Sequence, residues 1–179
     1  MGDVHSAISA ATARLNDLVR IVRAHEWFEH KLAPMLGTGY ASALLAHLSL
    51  LRLWPTLATT VMAVAVEASY VSLVNDLTDR DIDRAAGKPN RLEARSPVFS
   101  VAALGGCVAL GAALGALAWG GDVLAWSLYG GGWVAFSLYS IPPLRLKARG
   151  LAGALADASG AHLFPQLLVV SVVYGAQGV

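Results

Sequence analysis

Five stretches of about 20 mostly apolar residues constrain this chain more than any other feature, because a helix needs roughly that length to cross a bilayer. They run from Leu32 to Leu51, Pro55 to Val74, Pro97 to Ala118, Val123 to Ile141 and Leu151 to Tyr174. In lipid every backbone polar group must find its partner inside the protein, so only helices and closed barrels span. Segments of this length select helices. Composition agrees: 56% of the 179 residues are hydrophobic and 14% charged, against about a quarter charged in soluble domains. The expected fold is all-α, a polytopic transmembrane helix bundle of about five spans. The third and fourth spans are rich in glycine, including Gly111 and Gly115, and small residues let helices approach closely in lipid.

Residues 1–31 stand apart as an N-terminal segment, and 32–179 form one transmembrane domain. In the first, Ile8, Leu15, Leu18, Val19 and Val22 recur at helical spacing beside Arg14, Arg20 and Arg23. That pattern predicts an amphipathic helix lying at the membrane interface, followed by the interfacial rings of Trp27 and Phe28. It is not a signal peptide, since it lacks a basic start, an apolar core and a small-residue cleavage site. Net charge is +1, which gives no argument for nucleic acid as a partner. The single cysteine, Cys107, admits no internal disulfide and no metal pattern.

Basic residues set the orientation. Arg14, Arg20, Arg23 and Lys31 precede the first span; Arg80, Arg84, Lys88, Arg91 and Arg95 fill the second loop; Arg145, Lys147 and Arg149 fill the fourth. Arg52 alone lies on the other side. The positive-inside rule places the N-terminus and the second loop in the cytoplasm, and five spans put the C-terminus outside.

The second loop opens with four carboxylates in eight positions, Asp76, Asp79, Asp81 and Asp83. At about 100° per residue, Asp76, Asp79 and Asp83 fall within about 60° on a helical wheel, and Ser69 and Ser72 continue the stripe. Like charges at this spacing disfavour a helix unless something positive relieves them. Carboxylate oxygens suit a hard cation such as Mg2+, which is bound by one or two carboxylates together with substrate phosphates. Lys88, Arg91, Arg145 and Lys147 stand at the same membrane face and can clamp phosphate oxygens. An EF-hand is excluded: Arg84 and Asn90 occupy positions that need glycine and glutamate. A solvated loop neutralised by Arg80 and Arg84 is the plainer alternative.

Asn75-Asp76-x-x-Asp79-x-x-x-Asp83, at the end of the second span, matches the first aspartate-rich motif of the UbiA superfamily of intramembrane prenyltransferases. Leu138 to Gly150, LYSIPPLRLKARG, resembles the loop after the fourth span in that family. The resemblance implies that Asn75, Asp76, Asp79 and Asp83 bind Mg2+, with the three aspartates and Lys147 in catalytic roles. Tyr139, Lys147 and Arg145 would hold or ionise the diphosphate of a polyprenyl donor. A lipophilic or aromatic acceptor then attacks the allylic cation. One feature departs from the family. It usually carries about nine spans and a second aspartate-rich motif, whereas the acids after Asp83 are the scattered Glu93, Asp122 and Asp157. The expectation is therefore either a prenyltransferase or the metal- and diphosphate-binding half of one, completed by a C-terminal half or another subunit. A non-catalytic membrane subunit or truncated remnant of the same fold is the alternative. A CDP-alcohol phosphotransferase is disfavoured, because its signature is absent.

Four further residues stand out. Glu67 lies inside the second span, opposite the carboxylate stripe, where a bond to a neighbouring helix is expected. Asp157 and His162 are five apart, which on a regular helix puts them on different faces. Pro165 is expected to kink the fifth span.

Overall fold

The computed structural model describes residues 27–176, with residues 5, 9 and 12. The expected interfacial helix, with Ile8, Leu15, Leu18, Val19 and Val22, lies outside the described residues. Among the described residues all regular elements are helical. A π turn, Phe28–Leu32, leads into α1, Ala33–Leu45. Then come α2, Leu50–Thr78, and the short α3, Arg80–Ala85. Next are α4, Pro97–Trp119, and α5, Val123–Ser140. A 3-10 turn at Leu146–Ala148 precedes α6, Leu151–Ala158; a second π turn, Ser159–Leu163, joins α6 to α7, Phe164–Gly175.

Among the described residues three helical stretches are long and apolar enough to cross a membrane: Leu50–Thr78, Pro97–Trp119 and Leu151–Gly175. The first expected span closes early, at Leu45, where a turn over 46–49 places His47 at φ 54°. The second is longer than expected at both ends. At 1.5 Å per residue its 29 residues extend about 43 Å, well past a hydrocarbon core of about 30 Å. Val123–Ser140 stops where Pro142 and Pro143 deny further backbone donors.

α2 is the hub. It packs against α1, α4, α5 and α7, and its buried Leu53, Leu57, Ala63 and Val64 join Met35, Leu168, Val169 and Val173 in one core. Two polar pins fix it further: Trp119 Nε1 donates to Thr60 Oγ1 (2.9 Å), and the Tyr129 hydroxyl donates to the Ala63 carbonyl (2.9 Å). α4 leans on the outside of α2 and exposes Val98, Val101, Val108 and Leu117, an apolar face suited to lipid. Gly111 and Gly115 do not bring two backbones together. Their missing side chains leave room for the rings of Tyr129, Trp133, Trp119 and Trp126.

Both π turns share one cause. Pro34 and Pro165 each follow a π turn by two residues, and the backbone closes with Ala33 N to Phe28 O and Phe164 N to Ser159 O. A proline has no N–H and its ring crowds the carbonyl four residues back; one extra residue per turn relieves that crowding.

Deep in the bundle Lys31 pairs with Glu67 at 3.5 Å, with side chains 5% and 2% exposed. Lys31 Nζ also sits 4.6 Å over the Phe136 ring. The partner of Glu67 is therefore a residue that the sequence assigns to the N-terminal segment before the first span. Gly132 permits the approach, since a Cβ there would collide with Glu67 Oε1. Removing one partner of a buried pair strands a charge. Lys31→Met is expected to lower unfolding stability by roughly 3–5 kcal/mol. Adding Glu67→Leu should recover most of that loss; unfolding in detergent measures both.

Candidate active site

The surplus length of α2 carries Asn75 and Asp76 beyond its apolar stretch. The helix pauses at Asp79, whose backbone sits at φ −100°, ψ 0°, and resumes as α3. The hydrogen-bond ladder bridges the pause: Asp79 N donates to Asn75 O (2.9 Å) and Asp83 N to Asp79 O (2.8 Å). Asp76, Asp79 and Asp83 consequently line one cavity of about 420 Å³. Asn75, Lys88, Arg91, Tyr139 and Lys147 complete its walls, together with Pro89. Among the sequence-predicted site residues only Arg145 stays off the wall. It reaches Asp79 Oδ1 from the side with its guanidinium.

Asp79 is the most heavily partnered acid. Its second oxygen accepts from Lys147 Nζ at 2.6 Å. Lys147 also reaches Asn75 Oδ1 (3.3 Å) and Thr78 Oγ1 (3.5 Å), and Ser140 Oγ donates to the same Asn75 oxygen. Asp76 is buried and faces Arg91 at 3.7 Å. Asp81, outside the motif, points away and pairs with Arg84 (3.5 Å), which also holds Glu93 (2.9 Å). The Glu93 hydrogen bond pushes the Arg84 guanidinium further above its ordinary value. Among the described residues Arg80 pairs with no acid; it donates to the Leu92 carbonyl (2.8 Å) and Ser100 Oγ (3.3 Å). On the same helix Ser69 and Ser72 donate their hydroxyls back to the Ala65 and Ala68 carbonyls.

Two contributors escaped the sequence reading. Asn90 donates through Nδ2 to the Asp76 carbonyl (2.7 Å) and to Asp83 Oδ2 (2.9 Å), while its Oδ1 accepts from Leu92 N (3.0 Å). It staples the loop over the acids. Its only signal was an asparagine after a proline, a common turn pattern. Ser140, which orients Asn75, gave no signal, because its partner is 65 residues away.

The cavity wall therefore carries three carboxylates and three cations, Lys88, Arg91 and Lys147. Among the described residues no three His, Cys, Asp or Glu side chains gather closely enough to hold a metal by themselves. The oxygen donors present nonetheless fit a hard cation whose remaining positions come from phosphate.

Fold and site together define an integral membrane helix bundle with an acid- and base-lined cavity at one end of its central helix. The UbiA prenyltransferase family matches residues 35–175, and the chain belongs to that family. No match is found among curated proteins or among solved structures. Membership implies membrane prenyltransferase activity and a prenyl diphosphate donor.

Asn90→Ala removes the staple between loop and helix. Amide hydrogen exchange over residues 86–96 should then rise by about tenfold, the loss of roughly 1.4 kcal/mol of protection; an unchanged rate would show that the loop is held by other contacts.

Proposed function

We propose that this chain transfers a prenyl group, in a Mg2+-dependent reaction, from a polyprenyl diphosphate to a lipophilic or aromatic acceptor at the cytoplasmic face of the membrane. The observation that carries the reading is the convergence of Asn75, Asp76, Asp79, Asp83, Lys88, Arg91, Tyr139 and Lys147 on one cavity. Asn75 and the three aspartates would hold Mg2+, which when bound neutralises charge developing on the leaving diphosphate. Lys147 and Arg145, both on Asp79, are the phosphate ligands in waiting. When the donor enters, its oxygens compete for these cations, and the carboxylate and the Asn75 oxygen are released towards the cation site. Lys88 and Arg91 close on the phosphates from the loop. Tyr139 offers a phenolic donor to the same group. Once on the diphosphate, these donors would stabilise the departing anion electrostatically.

A second reading has its own support. The remaining acids serve elsewhere: Glu93 pairs with Arg84, Asp122 caps the N-terminus of α5, and Asp157 lines a different cavity. The chain would then be the metal- and diphosphate-binding component of a two-part enzyme, or a non-catalytic subunit.

Calorimetry tests the shared core of both. Prenyl diphosphate should bind only with Mg2+ present, and binding should vanish in Asp79→Ala and weaken by about 10- to 100-fold in Lys147→Ala, the worth of a charged hydrogen bond. Equal affinity in the Asp79 variant removes the site. Label transfer to acceptor by the chain alone then separates the complete enzyme from the component.

A further inference from the structure

The Lys147 ammonium meets Asp79 Oδ2 (2.6 Å), Asn75 Oδ1 (3.3 Å) and Thr78 Oγ1 (3.5 Å), all at the end of α2. Asn75 also borders a second cavity, of about 430 Å³, which opens between the two π turns. The main chain of Lys147 belongs to the 3-10 turn Leu146–Ala148. That turn closes on itself through Ala148 N to Arg145 O (3.0 Å) and Arg149 N to Leu146 O (2.8 Å). The chain then reverses at Gly150, whose φ of 52° costs glycine little, and α6 starts at Leu151. The reversal lays the turn back across the start of α6, over the buried Gly153.

Among the described glycines Gly153 alone would meet main chain if it carried a side chain. Added carbons at Gly111, Gly115, Gly131, Gly132 and Gly160 would meet side chains, which have other rotamers. A Cβ at Gly153 would collide with the Leu146 carbonyl and lie 3.1 Å from the Lys147 Cα. No rotamer relieves either contact. In a close-packed interior the turn would have to move as a unit, and Lys147 with it. Local propensity runs the other way, since alanine is the better helix former. The contact thus requires a residue type that the helix disfavours. We propose that Gly153 is a positioning residue for the diphosphate site: its bare Cα is the seat of the Lys147 turn, and the seat sets the reach of Lys147 to Asp79. The inference rests on the reading of Lys147 as a phosphate ligand.

Amine footprinting reads the placement without any ligand. Lys31, Lys88 and Lys147 are the chain's lysines; Lys31 is buried, Lys88 is exposed and Lys147 is held by Asp79. The chain in nanodiscs is acetylated briefly with sulfo-N-hydroxysuccinimide acetate, and each lysine is quantified by mass spectrometry. Gly153→Ala should raise Lys147 modification about tenfold relative to Lys88, the loss of one charged hydrogen bond, and leave Lys31 protected. Asp79→Asn gives the scale for a released Lys147. A rise at Lys31 as well marks a loosened bundle; Gly150→Ala, which disturbs the same turn through its φ, then takes the place of the first variant. Lys147 no more reactive than in the parent chain overturns the proposal. Binding of radiolabelled inorganic pyrophosphate with Mg2+ carries the result to the site. Gly153→Ala should weaken it about tenfold. Gly153→Ala with Lys147→Ala should lose no more than Lys147→Ala alone, whereas Arg91→Ala, from the other loop, should add its full separate loss. Additive losses with Lys147→Ala overturn the positioning role. A parent chain that binds no pyrophosphate sinks the diphosphate site, and the Lys147 labelling then decides by itself whether Gly153 places this side chain.

Discussion

The site exists because α2 is longer than the membrane is thick. A helix in lipid must satisfy its own backbone, so it cannot unravel to place polar groups; it can only continue. Twenty-nine residues carry the ladder out of the hydrocarbon core with Asn75 and Asp76 still in register. Asp79 and Asp83 follow after one residue of altered geometry. The pause lets α3 turn without losing the side-chain face. Crowded carboxylates are tolerated at that end because each has a counterpart: Asp79 has Arg145 and Lys147, Asp76 has Arg91, and Asp83 has Asn90.

The same helix is held in place by interactions far from the acids. Trp119 and Tyr129 grip its middle from α4 and α5, and Lys31 grips it from the first π turn through Glu67. A buried ion pair is weak evidence of net stability, because desolvation opposes the attraction. Its effect here is positional. It brings the first π turn against α2 at the level of Phe136, which is where the second cavity opens.

Much of this was legible in advance, for reasons that differ by residue. The spans were readable because lipid imposes a length and an apolar character on each one. The acidic face was readable because three residues on one helix obey a fixed angle. The loop cations Lys88, Arg91 and Lys147 could be named only by type and membrane face; no rule of spacing links residues 83 and 147. Asn90 and Ser140 stayed hidden for that reason, since each acts on a partner distant along the chain. Asp157 and His162, expected on different faces, line one cavity, and a π turn begins between them. Pro165 was correctly singled out, but the proline reshapes the turn before it and re-aims the side chains there. Lys31 was placed in the N-terminal segment before the first span, and in the structure it is buried against Glu67.

Asn75 links the two cavities, and its surroundings explain how they could act together. Its side-chain oxygen accepts from Ser140 at the end of α5 and from Lys147 in the following loop. Lys147 in turn holds Asp79. A ligand that draws Lys147 away from these oxygens changes the electrostatics at Asp79 and, through Asn75, the boundary of the neighbouring cavity. In a low-dielectric setting such shifts are felt strongly over one hydrogen bond and weakly over several. Asn75 therefore places the hydrogen bonds that hold Lys147 at the boundary between the two cavities.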